Sequence, residues 1–319
     1  MDYPGMGQTR SIAMHAIDAL SCLILLAMTL AKAVVADTPP GQADAKRTWE
    51  PIPGVVESRM IAYTYKKTPE KELKLYVHFP EGWKATDKRA GIVFFFGGAF
   101  VRGTPEQFRR AANYFAGRGM IAGRADYRVN MGVPVALEDA KSAVRWMRGH
   151  ADELGLDPDR IAGSGGSAGG YLAAAATIID KYDAPGEDKK VSSKPNIMVL
   201  FNPVVDFTGT GSGKNLSTED ILALSPTNHL AKGVPPAILF YGTADMLLAQ
   251  ARAYRAKARE LGVTVEMFTA NEQKHGFFNS PPWTQVTLQK ADEFLAKYGY
   301  VEGKPTVQIP EGAPVLKAE

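Results

Sequence analysis

The chain has 319 residues, 45% of them hydrophobic and 22% charged, enough for one large α/β domain. Its formal net charge is +3, with Lys and Arg interleaved among Asp and Glu, so nothing in the charge pattern points to a nucleic-acid partner. The single cysteine, Cys22, lies in the N-terminal segment, so a chain without that segment has neither a disulfide nor a thiol nucleophile.

Residues 1–36 read as a signal peptide. Arg10 supplies early positive charge, Leu20 to Leu30 form an apolar run, and Val34-Val35-Ala36 puts small residues before Asp37. The expectation is export, periplasmic or extracellular, after cleavage near Ala36. A membrane anchor is the rival reading, but Lys32 interrupts the run short of the roughly 20 residues a spanning helix needs. No stable membrane span is expected in the mature chain. A lipoprotein is disfavoured because Cys22 precedes most of the apolar run.

Residues 37–58, rich in Pro, Gly and charge, read as a leader. Arg59–Lys66 and Glu72–Phe79 predict an edge hairpin around Thr68-Pro69-Glu70. Strand-like runs then follow at Ile92–Phe96, Met120–Ala125, Arg160–Gly163, Ile197–Phe201, Ala237–Tyr241 and Val263–Phe268. Most are continuously apolar, as strands buried on both faces are. Leu137, Ala140, Val144, Met147, Ala151 and Leu154 mark one buried helical stripe. The alternation predicts a single α/β domain over 59–299, with a mostly parallel central sheet and helices on both faces. The Lys181–Pro195 and Asp206–Val234 connections are long enough to be mobile or functional. Residues 300–319 read as a C-terminal tail on the surface.

The sharpest motif is Gly165-Gly166-Ser167-Ala168-Gly169-Gly170, between a predicted strand and the Ala-rich helical stretch Tyr171–Ile179. G-x-S-x-G in that setting is a nucleophile elbow: small neighbours permit a tight turn that lifts the serine above the sheet. The run Gly163–Ala168 also fits a G-x-G-x-x-A dinucleotide turn, with Asp183 about 20 residues on. Such a turn normally opens its domain, whereas this one follows two strands and a helix.

A serine hydroxyl needs a base, and the base needs an orienting acid. In this fold the order along the chain is Ser, then Asp or Glu, then His. Gly242-Thr243-Ala244-Asp245 leaves one predicted strand, and Lys274-His275-Gly276-Phe277 follows the last, so Asp245 and His275 are the favoured acid and base. Asp206 with His229 is the alternative, since some related folds place the acid one strand earlier. His15, His78 and His150 all precede the elbow. Oxyanion donors are expected at Ala168 and in the loop Gly97-Gly98-Ala99-Phe100 that follows an early apolar strand.

Together these segments resemble the acetyl-esterase and hormone-sensitive-lipase-like branch of the α/β-hydrolase fold, and especially exported bacterial members described as carbohydrate or feruloyl esterases. The likeness covers residues 59–299. Besides the elbow it rests on Ala125-Asp126-Tyr127-Arg128-Val129, Glu138-Asp139-Ala140-Lys141-Ser142-Ala143, Asp157-Pro158-Asp159-Arg160-Ile161 and Asn202-Pro203. The resemblance implies Ser167 as nucleophile, Asp245 as acid, His275 as base, and N–H donors at Gly98, Ala99 and Ala168. The family's His-Gly-Gly-Gly is Phe96-Gly97-Gly98-Ala99 here, so the histidine that usually braces the loop is missing.

The function expected is a secreted serine esterase cleaving short acyl groups, of the acetyl type, from a small-molecule or oligosaccharide ester. An amidase or peptidase with the same triad is the alternative, followed by a catalytically silent binding protein on the same scaffold. No cofactor is expected, and no His, Cys or Asp cluster has metal-ligand spacing. Nothing in the sequence specifies an oligomer.

Overall fold

A computed structural model describes residues 51–319. The predicted signal peptide and its cleavage site near Ala36 lie outside the described residues. Two edge strands, β1 (Arg59–Lys67) and β2 (Glu72–Phe79), pair antiparallel as the hairpin signal predicts. Thereafter strands and helices alternate: β3 (Arg89–Phe95), α1 (Arg109–Gly117), β4 (Ile121–Ala125), α2 (Val133–Gly149), α3 (Ala151–Leu154), β5 (Leu156–Gly166), α4 (Ala168–Ile178) and β6 (Ile197–Phe201). Then come α5 (Thr218–Leu224), α6 (Pro226–His229), β7 (Ala237–Gly242), α7 (Leu248–Glu260), β8 (Val265–Ala270), α8 (Trp283–Lys297) and β9 (Lys317–Ala318).

The nine strands form one sheet in the order β1-β2-β4-β3-β5-β6-β7-β8-β9, parallel from β4 through β8. This is the α/β-hydrolase architecture. Successive residues of β3 alternate between the two faces. Val93 and Phe95 join the core beneath α2, α4 and α7, while Ile92 and Phe94 join the core beneath α1 and α8. With helices on both faces, the central strands are apolar throughout and show no period of two.

Two strands begin later than the apolar runs suggest, for a shared reason. Met120 and Val263 are each the third residue past a helix end. Gly119 (φ 91°) and Gly262 (φ 69°) reverse the chain there, and the N–H groups of Met120 and Val263 return to Phe115 and Ala258 oxygens. These are Schellman caps, whose apolar closing residue mimics the start of a strand. β5, by contrast, begins earlier than Arg160. Leu156 pairs with Arg89, and a register shift lets residues 157–160 loop out before Ile161 meets Gly91.

Residues 300–319 lie mostly on the surface, as expected, but they are anchored to the domain. Val301 and Val307 are buried, and Lys317–Ala318 pair antiparallel with β8. β8 would otherwise be an open edge with unpaired backbone groups, and the last strand covers it. Ile52, from the leader, is buried in the same core. The Lys181–Pro195 connection is tied to α2. Arg145 meets Asp183 at 2.5 Å and also pairs with Glu187, and Lys141 donates to the Lys181 oxygen. Arg145 is thus an ion-pair anchor, while Trp146 packs, stacked on His150 and tilted against Tyr63. Among the described residues no helix is long and apolar enough to cross a membrane.

Candidate active site

β5 runs straight into α4 with one residue, Ser167, at the turn. Its φ of 55° and ψ of −118° lie where a residue with a side chain is strained. Neighbouring contacts hold it there: its N–H donates to the Phe201 oxygen at 2.9 Å, and its oxygen accepts from the Tyr171 N–H that starts the helix. The glycines on either side are required by space. A Cβ on Gly165 would come within 2.4 Å of Gly169, and one on Gly169 within 1.9 Å of the Phe95 oxygen. Helix and strand therefore meet backbone to backbone, which leaves the serine at the carboxyl edge of the sheet.

Two further strand ends deliver side chains to the same place. After β7, Asp245 sits in a turn closed by its N–H to the Gly242 oxygen. It is 6% exposed. One carboxylate oxygen accepts from the Leu247 N–H at 2.9 Å and the other lies 2.9 Å from His275 Nδ1. After β8, His275 places Nε2 at 2.8 Å from Ser167 Oγ. The carboxylate can only accept, so Nδ1 carries the proton and Nε2 presents a lone pair to the serine hydroxyl. Serine, imidazole and carboxylate thus form one hydrogen-bonded line.

The structure separates the alternative pair. Asp206 accepts from the Thr208 N–H at 2.7 Å, and His229 Nε2 faces the Ala223 oxygen at 2.9 Å. The two do not meet each other or Ser167 and serve to shape their own connection. Asp183 is held by α2 cations, in a role unrelated to a ribose.

Gly98, Ala99 and Phe100 have successive φ values of 123°, 55° and 65°. The carbonyl of Gly98 accepts from the Val101 and Arg102 N–H groups. The N–H groups of Gly98, Ala99 and Ala168 have no partner among the described residues, and Ala168 begins α4, where free N–H groups favour negative charge. Gly98 cannot carry a side chain, since its Cβ would fall 2.1 Å from the Arg102 oxygen. Ala99 can, because its methyl faces solvent.

The missing histidine of the loop is replaced by other braces. Phe96 stacks on Tyr127 with ring centres 4.0 Å apart, and the Tyr127 hydroxyl donates to the Phe96 oxygen. The Gly97 N–H donates to Gln107 Oε1 at 2.6 Å. Asn202, at the end of β6, is fully buried and accepts from the Gly276 N–H at 3.0 Å. Its Nδ2 lies 3.4 Å from His275 Nε2. Sequence reading marked Asn202 only as part of a family pattern, and it had no signal for Gln107. Among the described residues no group of three or more His, Cys, Asp or Glu is placed to hold a metal ion.

A family model described as BD-FAE matches residues 75–219, and one described as alpha/beta hydrolase fold matches residues 215–279. Esterase 2 of Thermogutta terrifontis, solved phosphonylated by cyclosarin, is 43% identical with a TM-score of 0.74, the match covering 78% of this chain and 98% of that one. The same esterase solved with butyrate bound is 40% identical over 78% of this chain and 97% of that one, with a TM-score of 0.72. Lipase 2 of Moraxella sp. (strain TA144) is 28% identical over 61% of this chain and 56% of its own length. The probable carboxylic ester hydrolase LipM of Mycobacterium tuberculosis is 29% identical over 52% of this chain and 44% of its own length. The chain thus spans about half the length of these two curated relatives.

Proposed function

The chain belongs to the α/β-hydrolase family, on its carboxylesterase branch, and from that premise we propose that it is a serine esterase acting on short-chain acyl esters. The observation that carries the reading is the unbroken line from Ser167 Oγ through His275 to Asp245, at 2.8 and 2.9 Å, beside unpartnered N–H groups. Ser167 Oγ attacks the ester carbonyl while His275 Nε2 takes its proton. The oxyanion that forms accepts from the N–H groups of Gly98, Ala99 and Ala168, and Asp245 holds the imidazolium by its Nδ1–H. Collapse expels the alcohol, which leaves with the proton from His275. Water, deprotonated by the same nitrogen, then frees the acid and restores the serine.

The butyrate- and propionate-bound forms of the Thermogutta esterase support a short acyl chain. Its phosphonylated and paraoxon-phosphorylated forms support susceptibility of a serine such as Ser167 to organophosphates. An acetyl group carried on an oligosaccharide is the substrate we infer from the resemblance to exported carbohydrate esterases. Export with cleavage before Asp37 is part of the same proposal, and the N-terminal sequence of the protein recovered outside the cytoplasm tests it.

The central test compares turnover of nitrophenyl acetate, longer nitrophenyl esters and an anilide by wild type and Ser167→Ala. Activity falling with chain length and vanishing in the variant is the expected result. Preference for the anilide would turn the assignment towards an amidase. Unchanged activity in Ser167→Ala would overturn the mechanism. A screen of acetylated and feruloylated oligosaccharides then tests the substrate class.

A further inference from the structure

Oxyanion donors and general base reach Ser167 from opposite sides, on two loops far apart in the chain. One loop follows β3 and the other follows β8. Their relative position matters because misplacing a donor by a fraction of an ångström removes much of its value. Two amide side chains join them. Gln107 lies in the 3-10 turn Pro105–Phe108, just after the oxyanion loop, and Asn279 lies four residues after His275.

Gln107 Oε1 accepts from the Gly97 N–H at 2.6 Å, and its Nε2 donates to Asn279 Oδ1 at 3.0 Å. Asn279 Nδ2 in turn donates to the Gly276 oxygen at 2.9 Å, next to His275. The Gly276 N–H continues the chain to Asn202 Oδ1 at 3.0 Å. Arg110 Nη2 donates to the Asn279 oxygen at 2.9 Å and fixes the far end of that residue.

The direction of these bonds is dictated from both ends. A backbone N–H at Gly97 requires an acceptor, and a backbone carbonyl at Gly276 requires a donor. A side-chain amide offers both an acceptor and donors, so two in series meet both requirements. A carboxylate or an apolar isostere in either place leaves one end unmet. Because Gly97 donates to Gln107, it is also removed from the set of donors facing the substrate, and the task falls to Gly98 and Ala99.

We infer that Gln107 and Asn279 are positioning residues, a hydrogen-bonded strut that sets the oxyanion loop and the histidine loop relative to each other around Ser167. Neither touches the reacting atoms. The strut holds the place that a histidine at position 96 cannot, since that residue is Phe96 and stacks on Tyr127. This inference rests on the esterase reading above.

The test measures kcat and KM on nitrophenyl acetate, with thermal unfolding, for wild type, Gln107→Leu, Asn279→Leu and the double variant. Each single variant is expected to lower kcat about 10- to 100-fold, less than deletion of an oxyanion donor, with KM changed less than about threefold. The double variant should be no worse than the weaker single, because one broken link already disconnects the loops. Losses that multiply in the double variant, or kcat at the wild-type level in both singles, would overturn the strut. So would a loss of activity that tracks the unfolding temperature and disappears on assay well below it. If wild type itself fails to hydrolyse the ester, the esterase reading fails instead, and that outcome is separate.

Discussion

Two Asp and His pairs follow Ser167 along the chain in the same order, and the fold treats them in opposite ways. Asp245 and His275 leave the carboxyl ends of neighbouring parallel strands, β7 and β8, so their side chains converge above the sheet edge. Asp206 and His229 both lie in the connection between β6 and β7, and each satisfies nearby backbone groups. Residue type and order are therefore insufficient. The decisive factor is that acid and base leave the ends of two adjacent strands, β7 and β8, whereas Asp206 and His229 share one connection.

The largest expected effects break the first pair. Ser167→Ala and His275→Ala should each lower kcat/KM on nitrophenyl acetate by about 100,000-fold, since either change removes the attack itself. Asp245→Asn should cost about 10,000-fold, because an amide at that position can donate to Nδ1 and favours the wrong tautomer. A loss under tenfold in Asp245→Asn would show that the Leu247 N–H and the loop alone suffice to orient the imidazole.

A third histidine sharpens the comparison through stability. His78 is 1% exposed; its Nδ1 faces Asn113 Oδ1 at 2.9 Å and its Nε2 accepts from Arg124. Burial, with the Arg124 charge second, pushes its pKa down from 6.5 to about 4. The folded state thus keeps this ring neutral where the unfolded state protonates it. Stability from His78 is fully present above pH 6.5 and is lost as pH falls from 6.5 towards 4. The linkage is on the order of 3 kcal/mol. Urea unfolding at pH 7 and pH 4.5 should show a steeper acid loss in wild type than in His78→Gln. Equal slopes would remove His78 from the account.

The smallest effect belongs to the second pair. His229→Ala should change kcat/KM by less than about twofold, because its ring reaches only the Ala223 oxygen. A loss near that of His275→Ala would reverse the assignment of the base.

Much of the arrangement was readable from residue patterns, and the misreadings share physical causes. Met120 and Val263 looked like strand starts because an apolar residue after a glycine closes a helix in the same letters that open a strand. The anchoring of the tail after Tyr300 left no sign because two buried valines and a two-residue strand give no periodicity to detect. Asn202 and Gln107 accept from backbone N–H groups 74 and 10 residues away, and Gln107 meets the Asn279 side chain 172 residues on; no local pattern encodes such partners.

The sequence alone determined the elbow, the order of nucleophile, acid and base, and the fold that such a spacing requires. These follow from local constraints: a turn that admits only small residues, and strands buried on both faces. Only the tertiary structure decided which Asp and His meet, and how a loop without its usual histidine is held. Both depend on which strand ends become neighbours in the sheet, and that adjacency exists only once the chain has folded.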